Sequence, residues 1–342
     1  MDILENPWRG KGLPDDVLSG APAPSVDVDM PAALLSRCPA AGETPLLQIG
    51  GLGAPVWAKD ERRRMRLGSF KALGAAYVIA HRAAARGGDD LSNVLAGETF
   101  VSSSAGNHGL SIAAGARAFG AKASIYLSVH VPESFAERLR ALGAGVVRHG
   151  DDYDASMRAA MQAAGDNGWT LLSDTSWPGY FDIPHRLMEG YLVMADEAAR
   201  QMPDAPTHIM LQAGVGGLAG ACAAYFRHVW GDTPRMIVVE PEFAPALQAS
   251  IRDGKCVYAD GPTSNMGRLD CKEPSLIALK GLARDADAFM TITEDEATAI
   301  LPELAAQGAE SSQSGAAGLA AAKLLQLGDD ARVLCFISEG PD

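Results

Sequence analysis

Lys71 is the residue of this chain that its neighbours do least to explain. It lies in Gly68-Ser69-Phe70-Lys71-Ala72-Leu73-Gly74, a stretch predicted to open a helix with Ser69 as its cap. A lysine in a first turn faces the positive end of the helix dipole, so an anion nearby would make better sense of it. Desolvated by apolar neighbours, its amine loses basicity and becomes a nucleophile for carbonyls. The plainer alternative is a lysine that snorkels to solvent. Gln212-Ala213-Gly214-Val215-Gly216-Gly217-Leu218 reads as strand, glycine turn and helix start. Glycines without Cβ atoms let several N–H groups converge on an anion such as phosphate, although such turns also serve packing. No Gly-Lys-Ser/Thr follows, and the dinucleotide fingerprint fits poorly, which argues against a nucleotide-binding dehydrogenase.

Two more turns carry polar groups at strand ends. In Ser102-Ser103-Ser104-Ala105-Gly106-Asn107-His108-Gly109 the Asn107 amide either caps the helix or faces a ligand, and His108 is either a base or a structural hydrogen bonder. The last strand runs into Ser338-Glu339-Gly340. In an open parallel sheet the strand C-termini line the ligand crevice, so Ser338 is either a polar contact to a ligand or a plain turn serine.

Positioning these groups requires alternating elements. Strands are expected near 44–49, 56–59, 100–103, 123–127, 145–148, 170–172, 208–212, 236–240 and 333–337, with helices between most of them, one of these near 294–304. That alternation describes an α/β protein with two open twisted parallel-sheet layers flanked by helices. The smaller layer, 95–176, is expected as an insertion into a larger one formed by 1–94 and 177–342. Residues 1–43 read as an irregular arm, and Asp60-Glu61-Arg62-Arg63-Arg64 as a solvated loop.

Composition sets the outer limits. At 342 residues with 47% hydrophobic and 21% charged content, the chain is globular. A formal net charge of −13 argues against nucleic acid or an anionic membrane as partner. No apolar run approaches the ~20 residues of a membrane span, and the N-terminus has no signal-peptide pattern. Five widely spaced cysteines without C-x-x-C indicate reduced thiols in a cytoplasmic protein, with no metal site.

The ordered set of segments resembles the fold-type II family of pyridoxal-phosphate (PLP) enzymes, and within it the diaminopropionate ammonia-lyases. Besides the stretches above, the resemblance rests on Asp174-Thr175-Ser176-Trp177-Pro178-Gly179-Tyr180, Ile183-Pro184, Gly190-Tyr191, Val239-Glu240-Pro241, the Met266–Ser275 segment and Ser314-Gly315-Ala316. It covers the chain from Thr44 to Gly340 and implies PLP in the cleft between the two layers. Lys71 then matches the Schiff-base lysine and Asn107 the partner of the ring 3′ oxygen. Gly214, Val215, Gly216, Gly217 and Leu218 match the phosphate loop, and Ser338 the group facing the pyridine nitrogen. Ser104, Ala105, Gly106, Asn107 and His108 match the loop that holds the substrate carboxylate. Asp174 matches a second acid of the lyase site, able to steady a β-ammonium or move its proton.

The resemblance further implies a homodimer that eliminates the β-substituent of a small amino acid, foremost L-2,3-diaminopropionate to pyruvate and ammonia. Ala105 stands where the lyases carry an aspartate that serves the D-substrate; a methyl group accepts no proton, which points away from that isomer. Ser-Ala-Gly-Asn-His is also the dehydratase form of this loop, so a serine/threonine or hydroxyamino-acid dehydratase is the alternative. Gln313 replaces a usual glutamate and the turn at Ser338 is shortened. These departures motivate a third reading, a non-catalytic PLP-binding relative.

Overall fold

The computed structural model describes residues 1–88 and 90–341. Eleven strands lie among the described residues: β1 (Asp2–Glu5), β2 (Leu46–Ile49), β3 (Val56–Asp60), β4 (Thr99–Ser103), β5 (Lys122–Leu127), β6 (Gly145–Arg148), β7 (Thr170–Leu171), β8 (His208–Gln212), β9 (Arg235–Pro241), β10 (Ala288–Ile292) and β11 (Val333–Ile337). They form a seven-stranded sheet in the order β1-β10-β9-β8-β11-β3-β2 and a four-stranded sheet in the order β6-β5-β4-β7. The second is wholly parallel; the first is parallel except at its edges, where β1 and β2 run antiparallel to β10 and β3. The fold is thus the expected α/β architecture with two parallel-sheet layers. Strands buried on both faces read as continuous apolar runs, which is why Met236–Val239 and Val333–Ile337 are visible in the sequence.

One apolar cluster fills the space between the sheets. It runs from Phe100, Leu110 and Ile125 through Leu73, Tyr77 and Ile79 to Leu187, Tyr191, Leu211 and Phe226. The helices Lys71–Arg86 and Asp182–Gln201 cross at its centre, in close contact. Gly190 makes that approach possible: a Cβ there would lie 2.6 Å from the carbonyl oxygen of Leu73. A second cluster on the far face of the larger sheet gathers Val56, Met210, Val239, Met290, Leu319 and Ile337.

Three local expectations change. The N-terminal arm is not irregular throughout, since β1 pairs with β10 and a helix forms at Asp29–Leu35. The expected single helix near 294–304 is two short ones, Glu294–Ala299 and Leu301–Ala305, with Pro302 in the first turn of the second. The Asp60–Arg64 run is not a solvated loop. Glu61 is 0% and Arg64 2% exposed, because Arg64 is held by Glu61 and by Glu197 on a distant helix, and Lys59 joins them through Glu197 at 2.7 Å.

Candidate active site

Lys71 is the first residue of its helix, and the position before it, Phe70, is already helical and offers no side-chain cap. Ser69 does not cap; its buried hydroxyl has no hydrogen-bond partner among the described residues. What places the helix start is the chain's far end. Phe70 N–H donates to the Ser338 carbonyl at 3.1 Å, and Gly340 N–H donates to the Gly68 carbonyl at 3.0 Å.

The Lys71 amine points into the cleft and donates to Oδ2 of Asp174. Burial disfavours both charges, but each answers the other. The Lys71 ammonium holds the Asp174 carboxyl well below the usual carboxylate range. Asp174 in turn holds the Lys71 ammonium above the usual lysine range. His108 is buried behind this pair with Nε2 3.1 Å from the Leu172 carbonyl. A carbonyl only accepts, so Nε2 carries the proton and Nδ1, which has no partner among the described residues, is a bare acceptor. Burial, reinforced by Lys71, lowers the His108 pKa and keeps the ring neutral.

The loop bearing Asp174 is pinned from below. Ser176 N–H donates to Oγ of Ser275 at 3.1 Å, their hydroxyls bond at 2.7 Å, and Ser275 N–H donates to the Val215 carbonyl at 2.9 Å. Three segments far apart in sequence thus form one frame. Trp177 stacks on Tyr180 at 4.3 Å, and the Tyr180 hydroxyl closes the loop onto Leu171 and Ser173.

Across the cleft lies the glycine turn. Gly216 has φ +97°, which a side-chain-bearing residue rarely adopts, and it turns β8 into the helix Gly217–Trp230. Among the described residues no acceptor takes the N–H groups of Gly214, Gly216, Gly217 and Leu218. Four converging donors at the start of a 14-residue helix form an anion cradle. Tyr191 links it to Lys71: its ring packs on Phe70 at 4.9 Å and reaches the Gly217 side of the turn, and its buried hydroxyl has no partner among the described residues. Cys271 also lies here, its thiol pushed up to about 11 by burial with Asp174 adding to the effect, and the Val215 N–H faces its sulfur.

Asn107 does not cap its helix; Gly106 holds that position and the Asn107 amide donates to Glu339. Ser104 Oγ accepts from Gly106 and Gly109 N–H groups, which shapes the Ser104–His108 turn, and Ala105 is exposed at its tip. Ser338 is buried on the tail after β11. The structure thus places Lys71, Asp174, His108, the glycine turn and the two serine-bearing turns around one cleft. Tyr191, Cys271, Ser275 and Glu339 belong to it too. All four lie within segments that carry the resemblance, but residue type alone assigned them nothing.

The donor set fits PLP: an amine for its aldehyde, an unsatisfied cradle for its phosphate, and an amide and a hydroxyl at the edges of the space between. The comparisons agree. The family described as pyridoxal-phosphate dependent enzyme matches residues 38–339. Diaminopropionate ammonia-lyase of Escherichia coli strain K12 is 33% identical over 273 residues, spanning 74% of this chain and 69% of its own length. A crystal structure of the Escherichia coli enzyme, in complex with an aminoacrylate-PLP azomethine reaction intermediate, superposes with a TM-score of 0.85 at 29% identity over 99% of this chain and 93% of that one. The L-threonine ammonia-lyase of Thermotoga maritima is 27% identical over 270 residues, 79% of this chain and 63% of its own. With a match spanning the whole cleft, this chain belongs to the pyridoxal-phosphate-dependent enzymes, in their fold-type II branch.

Proposed function

We propose that the protein is a PLP-dependent ammonia-lyase that converts L-2,3-diaminopropionate to pyruvate and ammonia. The observation that carries this reading is the Lys71–Asp174 ion pair. PLP, when bound, supplies an aldehyde that condenses with amines and a ring that accepts the electron pair left at Cα. Lys71 is the amine that holds it and, once released, the base that takes the α-proton. Asp174 is then left ionised in a buried site without its lysine partner, and a cation is the group it can best accept. The β-ammonium of diaminopropionate is such a cation; the β-hydroxyl of serine or threonine is not. Asp174 thereby orients the β-amine and keeps it in the protonated form that leaves as ammonia. The N–H groups of Gly214, Gly216, Gly217 and Leu218 would hold the phosphate, with Val215 shaping the turn between them. Asn107 would donate to the ring oxygen, Ser338 would serve as a neutral partner for the ring nitrogen, and Ser104 to His108 would receive the substrate carboxylate. Ala105 offers no base on its side of the cleft, which favours the L-isomer.

The dehydratase alternative rests on the same Ala105 and on the likeness to the threonine enzyme. The test compares kcat/KM for L- and D-2,3-diaminopropionate, L-serine and L-threonine, reading keto acid and ammonia, with Lys71→Ala as the blank. Preference for L-2,3-diaminopropionate is expected. A preference for L-threonine assigns the dehydratase reaction instead, and PLP binding without product from any of the four assigns a non-catalytic relative. Homodimeric assembly, a cytoplasmic location and division into 1–94 plus 177–342 and 95–176 complete the proposal. The two separate sheets support the division. Among the described residues no helix is long and apolar enough to cross a membrane.

A further inference from the structure

One buried carboxylate at the cleft has no task in this scheme. Glu339, 5% exposed, lies on the tail after β11. Its Oε1 takes the Ser312 hydroxyl; its Oε2 takes Nδ2 of Asn107 at 2.6 Å and Nε of Arg268 at 2.9 Å. Its backbone is held as well, since Ser311 Oγ donates to the Glu339 carbonyl at 2.7 Å. Gly315 leaves room for it: a Cβ there would lie 2.9 Å from the Glu339 Cγ. The carboxylate is thus fixed in one orientation. Asn107 opens the helix that follows β4 of the small sheet, and Glu339 extends β11 of the large one. Their bond spans 232 residues of sequence and crosses the cleft.

A carboxylate accepts and cannot donate. The nitrogen of the Asn107 amide must therefore face Glu339. The terminal torsion of asparagine is otherwise broad and close to two-fold, so an amide without such a partner can turn over and exchange donor for acceptor. We propose that Glu339 is a positioning residue: it fixes the face of Asn107 so that the second N–H of its amide is presented to the ring oxygen of PLP, with Ser312 and Arg268 holding the carboxylate in place. The inference rests on the PLP reading of Asn107 and not on which amino acid is consumed. A ring oxygen that bears negative charge is stabilised by an N–H and repelled by an amide carbonyl. The direction of one side-chain amide thus bears on both cofactor affinity and cofactor absorption.

The test is a reciprocal exchange. Glu339→Gln keeps the shape but lets position 339 donate, so the Asn107 face is no longer dictated. Asn107→Asp with Glu339→Gln restores a hydrogen bond between the two positions with its direction reversed, and turns a carboxylate toward the ring. PLP affinity is measured by titrating apoprotein, the holoprotein absorbance band is recorded, and the apoprotein Tm serves as the structural control. For Glu339→Gln, PLP binding is expected to weaken roughly tenfold or more, the size of a lost charge-assisted hydrogen bond, with a displaced band. The double variant is expected to recover the apoprotein Tm without recovering affinity or band. Unchanged affinity and band in Glu339→Gln overturns the proposal. So does a double variant in which affinity, band and Tm all return together, because the pair then serves only the fold. A wild-type protein that binds PLP but releases no ammonia from diaminopropionate refutes the proposed substrate and not this inference.

Discussion

At Asp174 burial and charge work against each other, and the outcome sets the chemistry. Burial alone would push a carboxyl upward, yet the Lys71 ammonium beside it holds it down. An acid ionised under these conditions attracts cations, and Asn at this position would keep the volume while losing the charge. Asp174→Asn is therefore expected to lower kcat/KM for L-2,3-diaminopropionate by about 10²- to 10⁴-fold, the usual range for a proton-transfer group. PLP binding should persist, because Asp174 contacts Lys71 and not the glycine turn. Measuring ammonia release and the cofactor absorbance band on one preparation separates the two effects. Loss of both together would show that Asp174 supports the fold of the cleft and not the reaction. The opposite balance holds at Glu240, fully buried at the end of β9. Burial pushes it up to about 8, although the N–H groups of Leu247 and Gln248 donate to its oxygens at 2.7 and 2.8 Å. A carboxyl raised in the fold stabilises most below its unfolded value, about 4.3, and loses that contribution as pH rises through its folded value. Between pH 5.5 and 7.5 the wild-type Tm should therefore fall more than that of Glu240→Gln, which cannot titrate; equal slopes in thermal melts at both pH values would refute it.

The elements around Lys71 are held by groups that local sequence does not announce. The Asp60–Arg64 run looks solvated because five charged residues in a row usually are. Its burial depends on Thr44 and Glu197 arriving from elsewhere, and no periodicity in the run can report that. Arg64 bonds Glu61, Glu197, the Thr44 hydroxyl and the Gly42 carbonyl, just before the left-handed residues Met65 and Arg66 that turn the chain toward Lys71. Removing the guanidinium leaves two buried carboxylates with only Lys59 between them. Arg64→Met should cost about 3–5 kcal/mol, the penalty for breaking a buried pair from one side. Chemical denaturation of the apoprotein checks this, and a loss below 1 kcal/mol would mean that water or Lys59 already satisfies both acids. The same reasoning explains what else the sequence hid. The strands β9 and β11 carry runs of four and five apolar residues and were legible, as was the shorter run in β8; β10 was not, and it is defined by its pairing with β1 and β9. Lys71, the glycine turn, Asp174 and Ser338 stood out as members of an ordered set. Glu339 sat in plain view in that set, but its hydrogen bond to Asn107 joins positions that only the folded chain brings together.

On the scale of the whole molecule, two sheets meet at one cleft and share one apolar cluster. Phe100 and Ile125 of the small sheet belong to the same cluster as Leu211 of the large one and Phe226 of the helix that follows it, with the Lys71–Arg86 helix between them. That cluster runs without a break from one layer to the other, so they should unfold as a unit even before cofactor binds. The proposed cofactor contacts come from both sides: Asn107 from the small layer, and Lys71, Ser338 and the glycine turn from the large one. A ligand that requires both layers in register binds only the folded chain, and stabilises it by about 2.7 kcal/mol when free cofactor is 100 times its dissociation constant. Calorimetry of the apoprotein should therefore show one transition, and saturating PLP should move that transition upward without splitting it. Lys71→Ala should retain part of the upward shift, because the anion cradle from Gly214 to Leu218 remains, but lose the part due to the covalent link. Two apoprotein transitions, only one of which responds to PLP, would show instead that the cofactor belongs to a single layer and that the shared cluster does not couple them.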